Sequence, residues 1–189
     1  MGRKKASSIE KDDYFLSPTI DSLFKRMLAD MRTPLPLVSM LSAILKAEVS
    51  EVLVTNPEIP RDAVDAKGNI MDISAILDGT TRVNIEMQVW YQSHFMKRTQ
   101  FNLARLYESQ IGSGDDYAQL EPTIAINIVV EGNYNLPAEK WHNSYSFKED
   151  ELNIPLPDGM MSIHFIELKK MQKVGIIDES DLLTKWDCF

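Results

Sequence analysis

The segment that most restricts what this chain can fold into runs from Met71 to Gln88 and reads MDISAILDGTTRVNIEMQ. An Asp-Gly pair, Asp78-Gly79, separates two runs of alternating apolar and polar residues, the pattern of a β-hairpin with one buried face. In the second run Val83, Ile85, Met87 and Val89 point one way, and Asn84, Glu86 and Gln88 the other. Loop length then decides where the acids go. A two-residue loop of Asp78 and Gly79 would set Asp72 opposite Ile85 and turn the two carboxylates to opposite sides, because a shift of one residue inverts facing. A loop of three or five residues brings Asp72 to the side of Glu86. Leu77-Asp78-Gly79, a type I turn with glycine in the left-handed region, is a common three-residue choice. It also lets Met71, Ile73, Ala75 and Leu77 share a face with the apolar set of the second strand. The expectation is therefore an odd loop.

With that register, Asp72, Glu86 and Gln88 gather two carboxylates and an amide on one face, a ligand set suited to a hard divalent cation. Mg²⁺ or Mn²⁺ held there would bind a phosphate oxygen and activate water for attack on phosphorus. The next inward position after Glu86 is where a lysine would stabilise developing charge. It is Gln88, which can hydrogen-bond a water but brings no charge. Spacing alone does not separate such a site from the solvated polar face of an acidic hairpin.

The rest of the chain sets the frame. Its 189 residues suffice for one domain with a substantial core, and 44% hydrophobic with 25% charged residues is ordinary for a soluble globular protein. A net charge of −8 excludes a coat of positive charge but not a local basic groove that recruits phosphate. The single cysteine, Cys188, rules out an internal disulfide and any multi-cysteine zinc site. The start, MGRKKASSIEKDD, has no apolar core and is not a signal peptide, and no apolar run approaches the roughly 18 residues that would cross a bilayer. A soluble, cytoplasmic protein with no membrane partner is expected.

Residues 1–15 read as a disordered leader, 16–170 as the main domain and 171–189 as a C-terminal segment. A helix is expected from Thr19 through Leu28, with Asp21 and Lys25 one turn apart on its polar stripe. A second follows Pro34 and Pro36 and carries Leu37, Val38, Leu41, Ile44 and Leu45. Val49–Thr55 is a short strand, and a helix spans about Gln92 to Ile111 with Phe95, Thr99, Leu103 and Leu106 near one face. Glu121–Val130 is a strand buried on both sides. Residues 133–158 read as loop, Met161–Leu168 as a last strand and Asp178–Trp186 as helical. This order indicates an α/β or α+β domain on a mixed sheet. Arg98 and Arg105, with Lys97 beside them, share a helical stripe that is either simply solvated or a phosphate-binding stripe. Tyr107 and Tyr117 read as core or rim aromatics, Lys169, Lys170 and Lys173 as a solvated basic cluster. His94, His142 and His164 show no metal-ligand spacing.

Four stretches, LSPTIDSLFKRML, NIEMQV, KRTQFNLARLYESQI and GDDYAQLEPTIAINIV, resemble the recombination-promoting nuclease and putative transposase family of the PD-(D/E)xK nuclease superfamily. The resemblance covers Leu16 to Val130 and extends more weakly to about residue 170. It implies an α/β, restriction-endonuclease-like fold, a central mixed β-sheet flanked by helices, and metal-dependent cleavage of DNA. Carried over by position, Asp72 matches the motif's aspartate, Glu86 its second acid and Gln88 the place of its lysine. Asp21 matches an acidic position on the first helix that would complete the metal shell. The implied enzyme is a Mg²⁺- or Mn²⁺-dependent endonuclease in which Asp72, Glu86 and Asp21 hold the metal, Gln88 places the water, and Arg98 or Arg105 engages the DNA backbone. The rival is a non-catalytic remnant of the fold acting as a binding or regulatory module, and RNA competes with DNA as substrate. Family members usually continue beyond a Leu-Thr-Lys-Trp-like segment, so a naturally shortened member or a truncated product is expected here, with Trp186 exposed or covered by a second copy in a homo-oligomer.

Overall fold

The computed structural model describes residues 34–55, 71–89, 92–130 and 132–174, and for residues 71, 72 and 172–174 the backbone alone. The first described helix, α1 (Leu35–Leu45), starts at Pro34 and Pro36, where a missing N–H is harmless. It ends where Lys46 turns left-handed at φ 54° and donates its N–H to the Ser42 carbonyl. Next come β1 (Val52–Val54), β2 (Met71–Leu77), β3 (Thr81–Gln88), α2 (Phe95–Glu108), β4 (Thr123–Val129), β5 (His142–Ser146), β6 (Met161–Glu167) and α3 (Leu168–Val174). The strands form one six-stranded mixed sheet in the order β1-β2-β3-β4-β6-β5. The β3–β4 and β4–β6 pairs are parallel and the others antiparallel. This is the expected α/β, restriction-endonuclease-like architecture.

Alternation along the strands gives the sheet two unlike faces. On one, Ile73, Ala75 and Leu77 of β2, Val83, Ile85 and Met87 of β3, and Ile126 and Ile128 of β4 pack with Leu37, Met40, Leu41, Ala43 and Ile44 of α1. On the other, α2 crosses β4 and β6, and its Phe95 clusters with Val129 and Phe165. The β3–α2–β4 crossover is the connection that parallel strands require.

The hairpin loop is odd. Leu77 pairs with Thr81, leaving Asp78, Gly79 and Thr80 as a three-residue loop one position later than Leu77–Gly79. Asp78 and Gly79 both take positive φ, 48° and 77°, while the Thr80 N–H donates to the Leu77 carbonyl at 3.0 Å. That is the primed hairpin turn whose twist matches the strands, not a type I turn. The Asp78 carboxylate accepts the N–H groups of Ser50 and Glu51 at 2.9 and 2.8 Å, which ties the turn to the approach of β1.

Two elements differ from expectation. Residues 133–158 contain β5, an edge strand of mostly polar, exposed residues in which only Asn143 is buried. The last strand runs directly into α3, so Leu168 begins a helix. The expected helices at 19–28 and 178–186, with Asp21, Lys25 and Trp186, lie outside the described residues.

Candidate functional site

Register places the acids. Asp72 is directly opposite Glu86, Glu86 is level with Asn127, and Asn127 with Phe165, in one row across the face that α2 covers. Residues directly opposite on antiparallel strands carry their Cβ atoms about 4.5–5.5 Å apart. Asp72 thus shares a side of the sheet with Glu86, although its side chain lies outside the described residues. Gln88, the last residue of β3, belongs to the same face.

Glu86 and Gln88 are only 2% and 3% exposed. A carboxylate that dry needs a counter-charge, and Arg98 supplies one. Its Nη2 donates to Glu86 Oε1 at 2.5 Å and to Gln88 Oε1 at 2.7 Å, while Nη1 donates to Gln92 Oε1. The guanidinium also lies 5.2 Å from the centroid of the Phe95 ring, in reach of its π face. Arg98 Nε is buried with no hydrogen-bond partner among the described residues.

The placement of Arg98 follows from how α2 begins. His94, at φ 67°, turns the chain so that the helix starts at Phe95. Phe95, Thr99 and Leu103, four residues apart, are its buried stripe. Arg98 adjoins that stripe in the first turns, close to where β3 ends. Thr99 Oγ1 donates to Asn127 Oδ1 at 3.0 Å, and Asn127 Nδ2 donates to the His164 carbonyl at 3.2 Å. Tyr134 packs on Phe95 with centroids 4.9 Å apart, and its Oη accepts the Gln92 N–H at 3.2 Å. At the far end of α2, Gln110 Nε2 donates to Glu121 O and Thr123 Oγ1, and Gln110 Oε1 accepts the Glu121 N–H. The helix is therefore anchored to the sheet at both ends.

Of the residues singled out in the sequence, the structure brings Glu86, Gln88 and Arg98 into direct contact and sets Asp72 across from Glu86. Arg105 stays apart: it is exposed on α2, 5.9 Å from the Phe101 ring centroid. Arg98 is thus drawn inward and does not form an exposed stripe with it. Tyr107 is half-buried and Tyr117 is exposed. Lys170 is not simply solvated, since its Nζ holds Glu167 at 2.6 Å and the Pro137 carbonyl at 2.8 Å. His142 and His164, without ligand spacing in the chain, meet across β5 and β6 with Nε2···Nδ1 at 3.0 Å. Burial, and then the neighbouring His142, lower the His164 pKa from 6.5 to about 4. Among the described residues no three His, Cys, Asp or Glu side chains form a metal cluster, two of the expected metal-holding side chains, Asp21 and Asp72, lying outside them. Sequence reasoning missed Gln92, Asn127 and Tyr134. Thr99 left one trace, a hydroxyl in an otherwise apolar stripe.

The donor chemistry fits a hard divalent cation. Glu86 and the register-opposed Asp72 offer anionic oxygens and Gln88 an amide oxygen, at the end of a strand whose buried carboxylate already draws a cation to itself. No helix of the described residues is long and apolar enough to cross a membrane. Comparisons with curated proteins and with solved structures gave no match. A family model described as PD-(D/E)XK nuclease family transposase matches residues 18–189, nearly the whole chain and all of the site. The chain belongs to that family of PD-(D/E)XK nuclease transposases, and its function is nuclease- or transposition-related.

Proposed function

We propose that this chain is a divalent-metal-dependent endonuclease that hydrolyses phosphodiester bonds of DNA. The observation that carries the reading is the register of the hairpin, Asp72 directly across from Glu86, whose side chain is buried. That row lies toward the carboxyl ends of the parallel strands β3 and β4, where open α/β sheets characteristically receive ligands. Asp72 and Glu86, with Asp21 completing the set, would hold Mg²⁺ or Mn²⁺. Such an ion, when bound, polarises the phosphate and lowers the pKa of water. The chain's own residues do the rest. The Gln88 amide, held by Arg98, orients the attacking water. The Phe95–Tyr134–Phe165 side of the site keeps bulk water away from the buried carboxylate. Arg105, exposed on the same helix, contacts the DNA backbone. With a net charge of −8, binding must rest on such local cations and weaken steeply with salt.

Plasmid nicking with Mg²⁺ or Mn²⁺ tests the proposal. The chain nicks, and Glu86→Ala loses about 10²-fold or more, the scale of losing one group that stabilises the transition state. A wild-type chain inert at every salt concentration, or equal activity in Glu86→Ala, defeats it. Two observations favour a second reading, a non-catalytic module of the same fold: the uncharged Gln88 and the guanidinium already seated on Glu86. Calorimetry decides between them. The nuclease binds Mn²⁺ and loses that binding in Asp72→Asn, whereas the module binds none.

A further inference from the structure

We propose that Arg98 is a catalytic residue that brings to the scissile phosphate the positive charge that Gln88 cannot. This rests on the nuclease reading above. In hydrolysis the oxygen of water forms a new bond to phosphorus, one ester P–O bond breaks, and the water's proton ends on the departing oxygen. Negative charge builds on the phosphoryl oxygens along the way and has to be met by a cation placed in advance. Position 88 carries an amide, and the one cation of β3, Arg82, sits at the start of the strand, level with Thr123 and four residues before Glu86. Arg98 is the one cation among the described residues whose hydrogen bonds reach both Glu86 and Gln88, with Nη2 at 2.5 Å and 2.7 Å from their oxygens. It therefore stands in direct contact with the side chain that occupies the lysine's place.

Three features suit it to that work and exceed what neutralising Glu86 requires. Its fork is divided, Nη1 to Gln92 and Nη2 to the two strand residues, so the plane is fixed. Gln92 is in turn bonded to Tyr134 through its own N–H, and Phe95 lies beneath the guanidinium. The Arg98 side chain is 25% exposed where Glu86 is 2%, so it is the Arg98 side chain that keeps some contact with solvent. Arg98 acts through its charge and its N–H donors alone.

The test uses the full chain and three variants, Arg98→Gln, Arg98→Lys and the double variant Gln88→Lys/Arg98→Gln, each read for nicking rate, Mn²⁺ affinity and melting temperature. Arg98→Gln slows nicking about 10²-fold. It binds Mn²⁺ as tightly as the wild type or more tightly, because a competitor for Glu86 has gone. Arg98→Lys keeps the charge but loses the fixed fork, so it nicks faster than Arg98→Gln yet below the wild type. The double variant regains about tenfold over Arg98→Gln by returning charge from residue 88. If Arg98 merely holds Glu86 in place, Mn²⁺ binding and rate fall together in Arg98→Gln, and the proposal is wrong. It is equally wrong if Arg98→Gln nicks like the wild type or the double variant gains nothing. Should Arg98→Gln fail to melt cooperatively, the double variant decides, activity supporting the proposal and a folded, inactive protein overturning it. A wild type that neither nicks nor binds Mn²⁺ removes the nuclease reading itself, whereas an active wild type with an indifferent Arg98 removes only this inference.

Discussion

Ile85 and Glu86 are neighbours in β3, equally dry and opposite in everything else. On the α1 side Ile73, Ile85 and Ile126 have no exposed surface at all. On the α2 side Glu86 and Asn127 are 2% exposed. The apolar face asks of its covering helix only bulk of about the right shape, so many side chains would serve there. The polar face asks for a partner at each atom, and α2 meets the demand with Thr99 for Asn127 and Arg98 for Glu86 and Gln88. Burial therefore does not tell core from site in this sheet. What tells them apart is whether the covering helix brings volume or hydrogen bonds.

The contrast can be broken at three points. Ile85→Ala has the largest effect on stability, about 2–5 kcal/mol from lost contacts and a residual cavity, read as a fall in the denaturation midpoint. The molecules that remain folded should nick at the wild-type rate, and a selective loss of activity would mean that the two faces are not independent. Next is His164, on the α1 face at the β5–β6 edge. Its folded pKa of about 4 lies below the 6.5 of the unfolded chain. As pH falls the unfolded chain takes up the proton first, so stability present above about pH 6.5 is lost between 6.5 and 4, on the order of 3 kcal/mol. Urea midpoints across that range should slope in the wild type and flatten in His164→Gln; parallel slopes would deny His164 that role. Smallest is Thr99→Val, which keeps shape but takes one partner from the buried Asn127, for about 1–2 kcal/mol. A neutral result would mean that this hydrogen bond adds nothing to holding α2 on β4.

What could be read beforehand was what repeats along the chain. Strict alternation in β2 and β3 leaves one parity that buries Ile73, Ala75 and Leu77 with Val83 and Ile85, so the odd loop followed although its first residue was misplaced by one. The stripe Phe95-Thr99-Leu103 likewise announced the buried side of α2. Contacts between distant segments were not legible. Seven residues bring a helix nearly back to the same angle, so Arg98 and Arg105 look equivalent on paper. Only the end of β3, folded beneath the first turns of α2, gives one of them a carboxylate to reach. Strand β5 hid because an edge strand need not be apolar. The histidine pair hid because its members are 22 residues apart and meet only through strand pairing.

The turn at Asp78–Thr80 lies six residues from Asp72, roughly 20 Å away along an extended strand, yet it decides on which side that aspartate emerges. A one-codon insertion or deletion at this tip would misdirect the acid. It would also push Ile73, Ala75 and Leu77 into water, so the molecule would fail to fold. A relative with an altered tip should therefore carry a compensating change within the same hairpin.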